Sequence, residues 1–312
     1  MANPDDHIVS LEYIRLVASG AQGTVFEAKK IDSGELVAVK NVYLDPDPKK
    51  REVQTKALRA QFDIIKNLNH ANVVRHMLTQ TDLVRPNRPL AFQIIMEYCE
   101  GKTLHNLVRE FPVPPLLLQK WTRQLVDGIT YLHEQRCVHR DLKGANIVTT
   151  SNDLNSCHVK ITDLGDIKRL MAEATRTGEL SHAKGTFAFM SPEMINDRQI
   201  ETEPAGEKAK LGRRTDIWSL GCVVIEMLNG TLPQFYRQGV LITVDLAVMH
   251  YVAKGGSPTI PAELPGKLSD FIVRCLKHHP NERPFGDVLK QHEFLTSPEE
   301  EIKNWILPKR LR

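Results

Sequence analysis

The sequence predicts an α+β fold in two lobes, a small strand-rich N-terminal lobe with one helix and a larger, mainly helical C-terminal lobe. Three observations carry that expectation. The first hundred residues read mostly as strands, with apolar and polar side chains alternating at period two, while beyond Gly101 the apolar residues recur at helical spacing. Strands and helices therefore stand in separate blocks, as in α+β proteins, and do not alternate one by one. The change of character falls at residues 97 to 101.

Each element follows from its own residues. "YIRLVASGAQGTVFEAKKIDSGELVAVKNVYL" is rich in Val and turns at Gly20, Gly23 and Ser33-Gly34, so it reads as consecutive strands. A helix follows, begun near Pro48, with Val53, Ala57, Gln61, Ile65 and Leu68 as its expected inward stripe. "LAFQIIMEYC" reads as a buried strand. After Gly101, "LLLQKWTRQLVDGITYLHEQ" puts Leu118, Trp121, Leu125 and Ile129 on one helix face, and "TDIWSLGCVVIEMLNG" reads as a buried helix. "NIVTT" and "HVKITDL" read as two short strands, and the charged stretch 196 to 214 as a mobile surface loop. The tail "WILPKRLR", with three basic residues, is expected to hang free.

Composition narrows the function classes. The chain has 312 residues, 41% apolar and 25% charged, enough to bury a large core. A net charge of +3 is too small to imply nucleic acid or a membrane surface as the main partner. Five widely spaced cysteines without a C-x-x-C pair argue against a disulfide framework or zinc site and for a reducing compartment. "MANPDDHIVSLEY" has no signal-peptide profile and the most apolar stretches are too short to span a bilayer, so a cytoplasmic protein is expected.

The chemistry concentrates in "VHRDLKGANIV", residues 138 to 148. Asp141 lies between Arg140 and Lys143, with Asn146 five residues after the acid. A lone acid between two bases is ordinarily a solvated turn, so the question is whether other segments supply partners. "ASGAQGTVF" places Gly20 and Gly23 between two strands, where glycine lets backbone amides approach phosphate oxygens, although a plain hairpin turn would look the same. "VAVK" ends in Lys40, either a solvated edge charge or a phosphate ligand. "ITDLG" puts Asp163 at a strand end; its carboxylate and the Asn146 amide oxygen are the hard donors Mg²⁺ prefers. That leaves Asp141 to accept a hydroxyl proton and Lys143 to neutralise developing phosphoryl charge. "GTFAFMSPE", "DIWSLG" and "NERP" follow in order.

This ordered series resembles the eukaryotic protein kinases from about Leu11 to Leu295, with an N-lobe over about 11–97, a C-lobe over about 101–295 and a tail over 296–312. The resemblance implies the bilobal protein-kinase fold, ATP and Mg²⁺. By the same resemblance, Lys40 would pair with the α/β-phosphates, Asp141 would orient the substrate hydroxyl, and Asn146 and Asp163 would hold Mg²⁺. Val17, Ala18, Gly20, Gly23, Val25 and Ala38 would cover the nucleotide and Val148 would form the adenine floor. Met96 matches the gatekeeper, with the backbone of Glu97 and Cys99 bonding the adenine edge. Glu193 and Arg283 would form a structural buried pair.

Lys143 resembles the serine/threonine type. "HRDLKGAN", "GTFAFMSPEM" and "TGEL" look most like the MAP kinase kinase kinases of the MEKK branch, which implies MAP kinase kinases as protein substrates. The regulatory regions usual in that branch are expected to be missing from a chain that begins near the kinase motifs.

Three residues depart from the family pattern: Ala18 at the first glycine, Leu164 in D-L-G, and Gln61 where the helix usually carries a glutamate for Lys40. At ~100° per residue, Asp63 lies roughly 200° and Glu52 roughly 180° around the helix from Gln61, so neither replaces it. A working kinase and a kinase-fold scaffold without transfer both stay open. Arg140 is a candidate partner for a regulatory phosphate on Ser181, Thr177 or Thr175.

Overall fold

The computed structural model describes residues 8–20, 23–81, 89–154, 156–164, 168–169, 186–196 and 205–308. The chain divides into two compact units, one ending at Glu100 and the other starting at Gly101.

The first unit is built on a five-stranded antiparallel sheet of strands β1 (Leu11–Gly20), β2 (Gly23–Lys30), β3 (Leu36–Tyr43), β4 (His76–Thr81) and β5 (Ala91–Glu97), in the order β1-β2-β3-β5-β4. Alternation along β3 sends Val37 and Val39 into a fully buried cluster with Ala28 and Ile95, leaving Ala38 and Lys40 on the other face. Helix α1 spans Pro48–Ile65. Asp47 caps it by accepting from the amides of Lys49 and Lys50, and Pro48 occupies the first turn, where its missing N–H costs nothing.

The inward face of α1 differs from the expected stripe. Val53 is 71% exposed and Ala57 is exposed, while the buried side chains are Phe62 and Ile65, with Gln54, Leu58 and Gln61 half-buried beside them. The large ring of Phe62 sets the phase, and Val53, nine residues away, falls roughly 180° from it. Gln61 stays on the flank of the true stripe. Glu52 and Asp63 are exposed, and Asp63 pairs with Lys66.

The second unit begins with α2 (Leu104–Glu110), whose cap Thr103 accepts from the Asn106 amide. In α3 (Pro115–Glu134), Leu118, Trp121, Leu125 and Ile129 are all fully buried, each contributing about 1.5–3 kcal/mol of burial. Short strands follow: β6 (Cys137–Val138), the hairpin of β7 (Ile147–Thr149) and β8 (Val159–Ile161), and β9 (Lys168–Arg169), which pairs with β6. After α4 (Pro192–Ile195) comes α5 (Ala205–Asn229).

The expected surface loop at 196 to 214 is thus corrected: from Ala205 onward it is helix, because Ala, Glu, Lys, Leu and Arg are strong helix formers that extend the buried segment after them. Beyond it lie a small hairpin, β10 (Tyr236–Arg237) and β11 (Val240–Leu241), and helices α6 (Asp245–Ala253), α7 (Gly266–Cys275), α8 (Gly286–Lys290), α9 (Glu293–Thr296) and α10 (Glu299–Ile302). The tail expected to hang free docks at its start. Ile302 is fully buried and Trp305 stacks on Phe294 with ring centroids 5.8 Å apart, so aromatic packing holds this part of the chain. No helix among the described residues is long and apolar enough to cross a membrane.

Candidate active site

In the first unit the sheet register gathers the expected nucleotide-facing residues. Val25 stands opposite Lys40, and Ala38 stands opposite Met96. Directly opposed residues share a face, and so do residues two apart on one strand. Val25, Ala38, Lys40 and Met96 therefore line one side of the sheet. Ala18, opposite Val25, adjoins them across β1; Val17 lies in the adjacent bulge and is 47% exposed.

The two glycines have different reasons. Gly23 has φ +122°, and a Cβ there would lie 2.1 Å from the backbone oxygen of Asn41, so β3 requires glycine whatever ligand is present. A Cβ at Gly20 would meet nothing within 4 Å. Glu97 donates its amide to the Arg75 oxygen and accepts the Arg75 amide on its side chain. Next to it, Tyr98 donates to Glu27 at 2.8 Å and accepts from Arg15 at 2.8 Å, tying this segment to β1 and β2. Burial, and then the bond to Glu27, raises the Tyr98 phenol above its ordinary value. Cys99 is half-buried, whereas the other four cysteines are buried.

In the second unit the loop after β6 is ordered around Asp141. Lys143 Nζ lies 2.7 Å from Asp141 Oδ2, and Asn146 Nδ2 donates to the backbone oxygen of Asp141 at 2.8 Å and to Oδ2 at 2.9 Å. Because Asn146 spends its N–H groups on Asp141, its amide oxygen is the atom suited to a cation. The hairpin brings Asp163 to the same end: Ile147 pairs with Ile161, and the Thr162 amide donates to the backbone oxygen of Asn146 at 2.9 Å. Asp163 takes φ +57° and Arg140 takes φ +69°, left-handed conformations that non-glycine residues hold only when their surroundings impose them. Val148, on β7, forms a bridge with Thr103.

Two residues that the sequence reading left without a role impose them. Asp216, fully buried on α5, accepts from the amides of His139 and Arg140 at 2.9 Å each and from His133 Nε2 at 2.8 Å. Burial alone would raise its carboxyl; the bond and charge of His133, with His139 and the Arg140 amide, hold it below the usual value. His139 takes the Asp141 amide on Nδ1 at 3.2 Å, so Nε2 carries the proton and donates to the Thr162 oxygen at 2.9 Å. The signal for Asp216 lay in "DIWSLG", an acid opening an otherwise apolar helix segment.

Arg283 is fully buried and bidentate on Glu193, at 2.7 and 2.9 Å. Its remaining N–H groups donate to the oxygens of Lys277, Arg214 and His278, so all five donors are satisfied. Ser181, Thr177 and Thr175 lie outside the described residues.

The donor set suits Mg²⁺: one carboxylate, Asp163, and one amide oxygen, Asn146, are the protein share expected when phosphates complete the shell. Comparisons with known proteins give the family. The protein kinase domain family matches residues 11–295. The mitogen-activated protein kinase kinase kinase ANP1 of Arabidopsis thaliana is 35% identical over 92% of this chain and 40% of its own length. Mitogen-activated protein kinase kinase kinase 2 of the same plant is 34% identical over 92% of this chain and 41% of its own. Mitogen-activated protein kinase kinase kinase 19 of Mus musculus is 33% identical over 90% of this chain and 20% of its own. The chain thus spans at most 41% of these curated relatives. With a family match over most of its length, a five-stranded sheet in one unit and helices in the other, the chain belongs to the protein kinase domain family and has its bilobal fold.

Proposed function

We propose that this chain is an active serine/threonine protein kinase, a MAP kinase kinase kinase, transferring the γ-phosphate of ATP to hydroxyls of a MAP kinase kinase in the cytoplasm. The observation that carries the reading is Asp141, held by Asn146 and flanked at 2.7 Å by Lys143. Asp141 accepts the proton of the substrate hydroxyl as its oxygen bonds to the γ-phosphorus and the bond to the ADP oxygen breaks. Lys143 offsets charge developing on the transferred group, and Lys40 holds the α/β-phosphates. Asn146 and Asp163 would hold Mg²⁺, which supplies charge neutralisation on the phosphates. Val17, Ala18, Gly20, Gly23, Val25, Ala38 and Met96 contact the nucleotide, the Glu97 carbonyl and Cys99 amide meet the adenine edge, and Val148 is a further apolar contact. The Lys143 position supports serine/threonine specificity, and the names of the relatives support the substrate class. A phosphate on Ser181, Thr177 or Thr175, paired with Arg140, would favour the active form.

One observation favours a scaffold instead: among the described residues of α1, the inward flank carries Gln61 and both acids are exposed. Radiolabelled phosphate transfer to a generic basic protein separates the two readings. Transfer is expected from the parent, and Asp141→Asn, Lys40→Met and Asp163→Asn should each abolish it with unchanged circular dichroism. A parent silent at every ATP concentration makes the scaffold the answer, and retained transfer in either Lys40→Met or Asp163→Asn overturns the site.

A further inference from the structure

Glu226 is a carboxylate with no exposed surface, deep in α5, where an unpaired charge would cost several kcal/mol. Its partners lie outside its own helix. Oε2 accepts the backbone amide of Gly144 at 3.1 Å, and Oε1 accepts from His105 Nδ1 of α2 at 2.6 Å. Gly144 falls between Lys143 and Asn146, the two residues that hold Asp141. A buried acid on the central helix thus bonds the backbone of the catalytic loop at its middle.

The contact also explains why residue 144 is glycine. A Cβ there would lie 2.3 Å from Glu226 Oε2, 2.7 Å from its Cδ and 2.9 Å from Oε1. The carboxylate occupies the space of the missing side chain. Glycine elsewhere in a loop would leave it freer than any other residue; here the freedom is removed by a bond to a buried charge. His105, 24% exposed, covers the remaining oxygen and ties α2 into the same contact. Asp216 holds the loop at His139 and Arg140, so the loop is fastened to α5 at two points on either side of Asp141.

We propose that Glu226 is a positioning residue for phosphoryl transfer: by fixing the Gly144 amide it sets the spacing of Lys143 and Asn146 about Asp141, with His105 completing the carboxylate's coordination. The proposal rests on the kinase reading, and its test is built so that the two can fail separately.

Transfer rates and amide hydrogen exchange over residues 141 to 149 are measured together on the whole chain. Glu226→Ala should lower kcat roughly tenfold to a hundredfold, the scale of one lost buried bond, with the KM for ATP unchanged and the loop exchanging faster. Glu226→Gln, whose amide oxygen still accepts from Gly144, should restore most of the rate. Gly144→Ala should lower kcat too, but combined with Glu226→Ala the losses should not multiply, because the new methyl then fills vacated space. Losses that do multiply, or a Glu226→Ala protein that melts earlier yet keeps its kcat and loop protection, overturn the proposal. If Glu226→Ala does not fold, Gly144→Ala alone decides, since parental kcat and exchange in that variant would show the contact to be idle. A parent without transfer fails the kinase reading, while loop exchange in the same proteins still tests Glu226.

Discussion

Asn146 bonds Asp141 twice with one nitrogen, at the backbone oxygen and at the carboxylate, so its amide both aims the acid and turns its own oxygen outward. A carboxylate at this position could not donate to Asp141 and would repel it. Asn146→Asp should therefore disturb the base as well as the metal site. Its kcat is expected to fall at least a hundredfold, more than one neutral hydrogen bond of ~0.5–1.5 kcal/mol would account for. A second signature is that saturating Mg²⁺ should not restore the rate. Recovery at high Mg²⁺ would mean that Asn146 serves the metal alone.

Asp216 makes acid sensitivity a property of the loop. Its carboxyl is held below the usual 3.8, so the native state binds fewer protons there than the unfolded chain does. The stability it adds is fully present above the unfolded value and is lost as pH falls through the lower folded value. Asp216→Asn removes this titration and leaves one backbone amide poorly matched, a loss of ~1–3 kcal/mol at pH ~7. The gap in urea midpoint between parent and variant should narrow when both are measured near pH ~3. A gap that holds constant or widens on acidification contradicts the assignment.

Cys99 is the one cysteine of five with accessible surface. Cys222 and Cys275 are fully buried, and burial pushes both thiols up, which keeps them in the unreactive protonated form. A mild alkylating reagent should label the folded protein once, at Cys99, and ATP should slow that labelling if the Cys99 backbone meets the adenine. Mass spectrometry of digested protein gives both answers. Labelling that ATP does not slow would remove Cys99 from the nucleotide site.

The fold was legible where a single period dominates. The alternation of β3 and the helical stripe of α3 each reflect one-sided burial, and both stand in the structure with the residues expected of them. The phase of α1 was not legible, because Val53 and Ala57 advertise a stripe that the larger Phe62 overrides. The start of α5 was hidden by charge, since a run of Lys, Glu and Arg suits a loop and a helix equally. At the candidate site, the residues proposed to act on substrate stood out as charged types at fixed spacing. Those that hold the loop, Asp216 and Glu226, did not, because their partners are backbone amides about 70 to 80 positions away that no local pattern reveals.

The remaining prediction concerns Gln61, half-buried on the flank of α1 beside Phe62 and Ile65, with the acids Glu52 and Asp63 turned to solvent. A glutamine there can accept a hydrogen bond from a lysine, but it brings no charge to balance the ammonium. A charge-assisted bond is still retained from the lysine side, so the deficit relative to an ion pair should be ~1–3 kcal/mol of positioning. At ~1.4 kcal/mol per decade, that is roughly tenfold to a hundredfold in rate at most, compatible with a working enzyme. Gln61→Glu is nearly isosteric and leaves Phe62 and Ile65, which anchor the helix, untouched. It should raise basal transfer or lower the KM for ATP, and the gain should vanish when Lys40→Met is added, because the new charge then has no partner. No change in either constant, with Lys40→Met inactive, would show that Lys40 takes its position from another group. A gain that persists without Lys40 would place the benefit in helix stability instead, and a rise in the melting temperature of Gln61→Glu would accompany it.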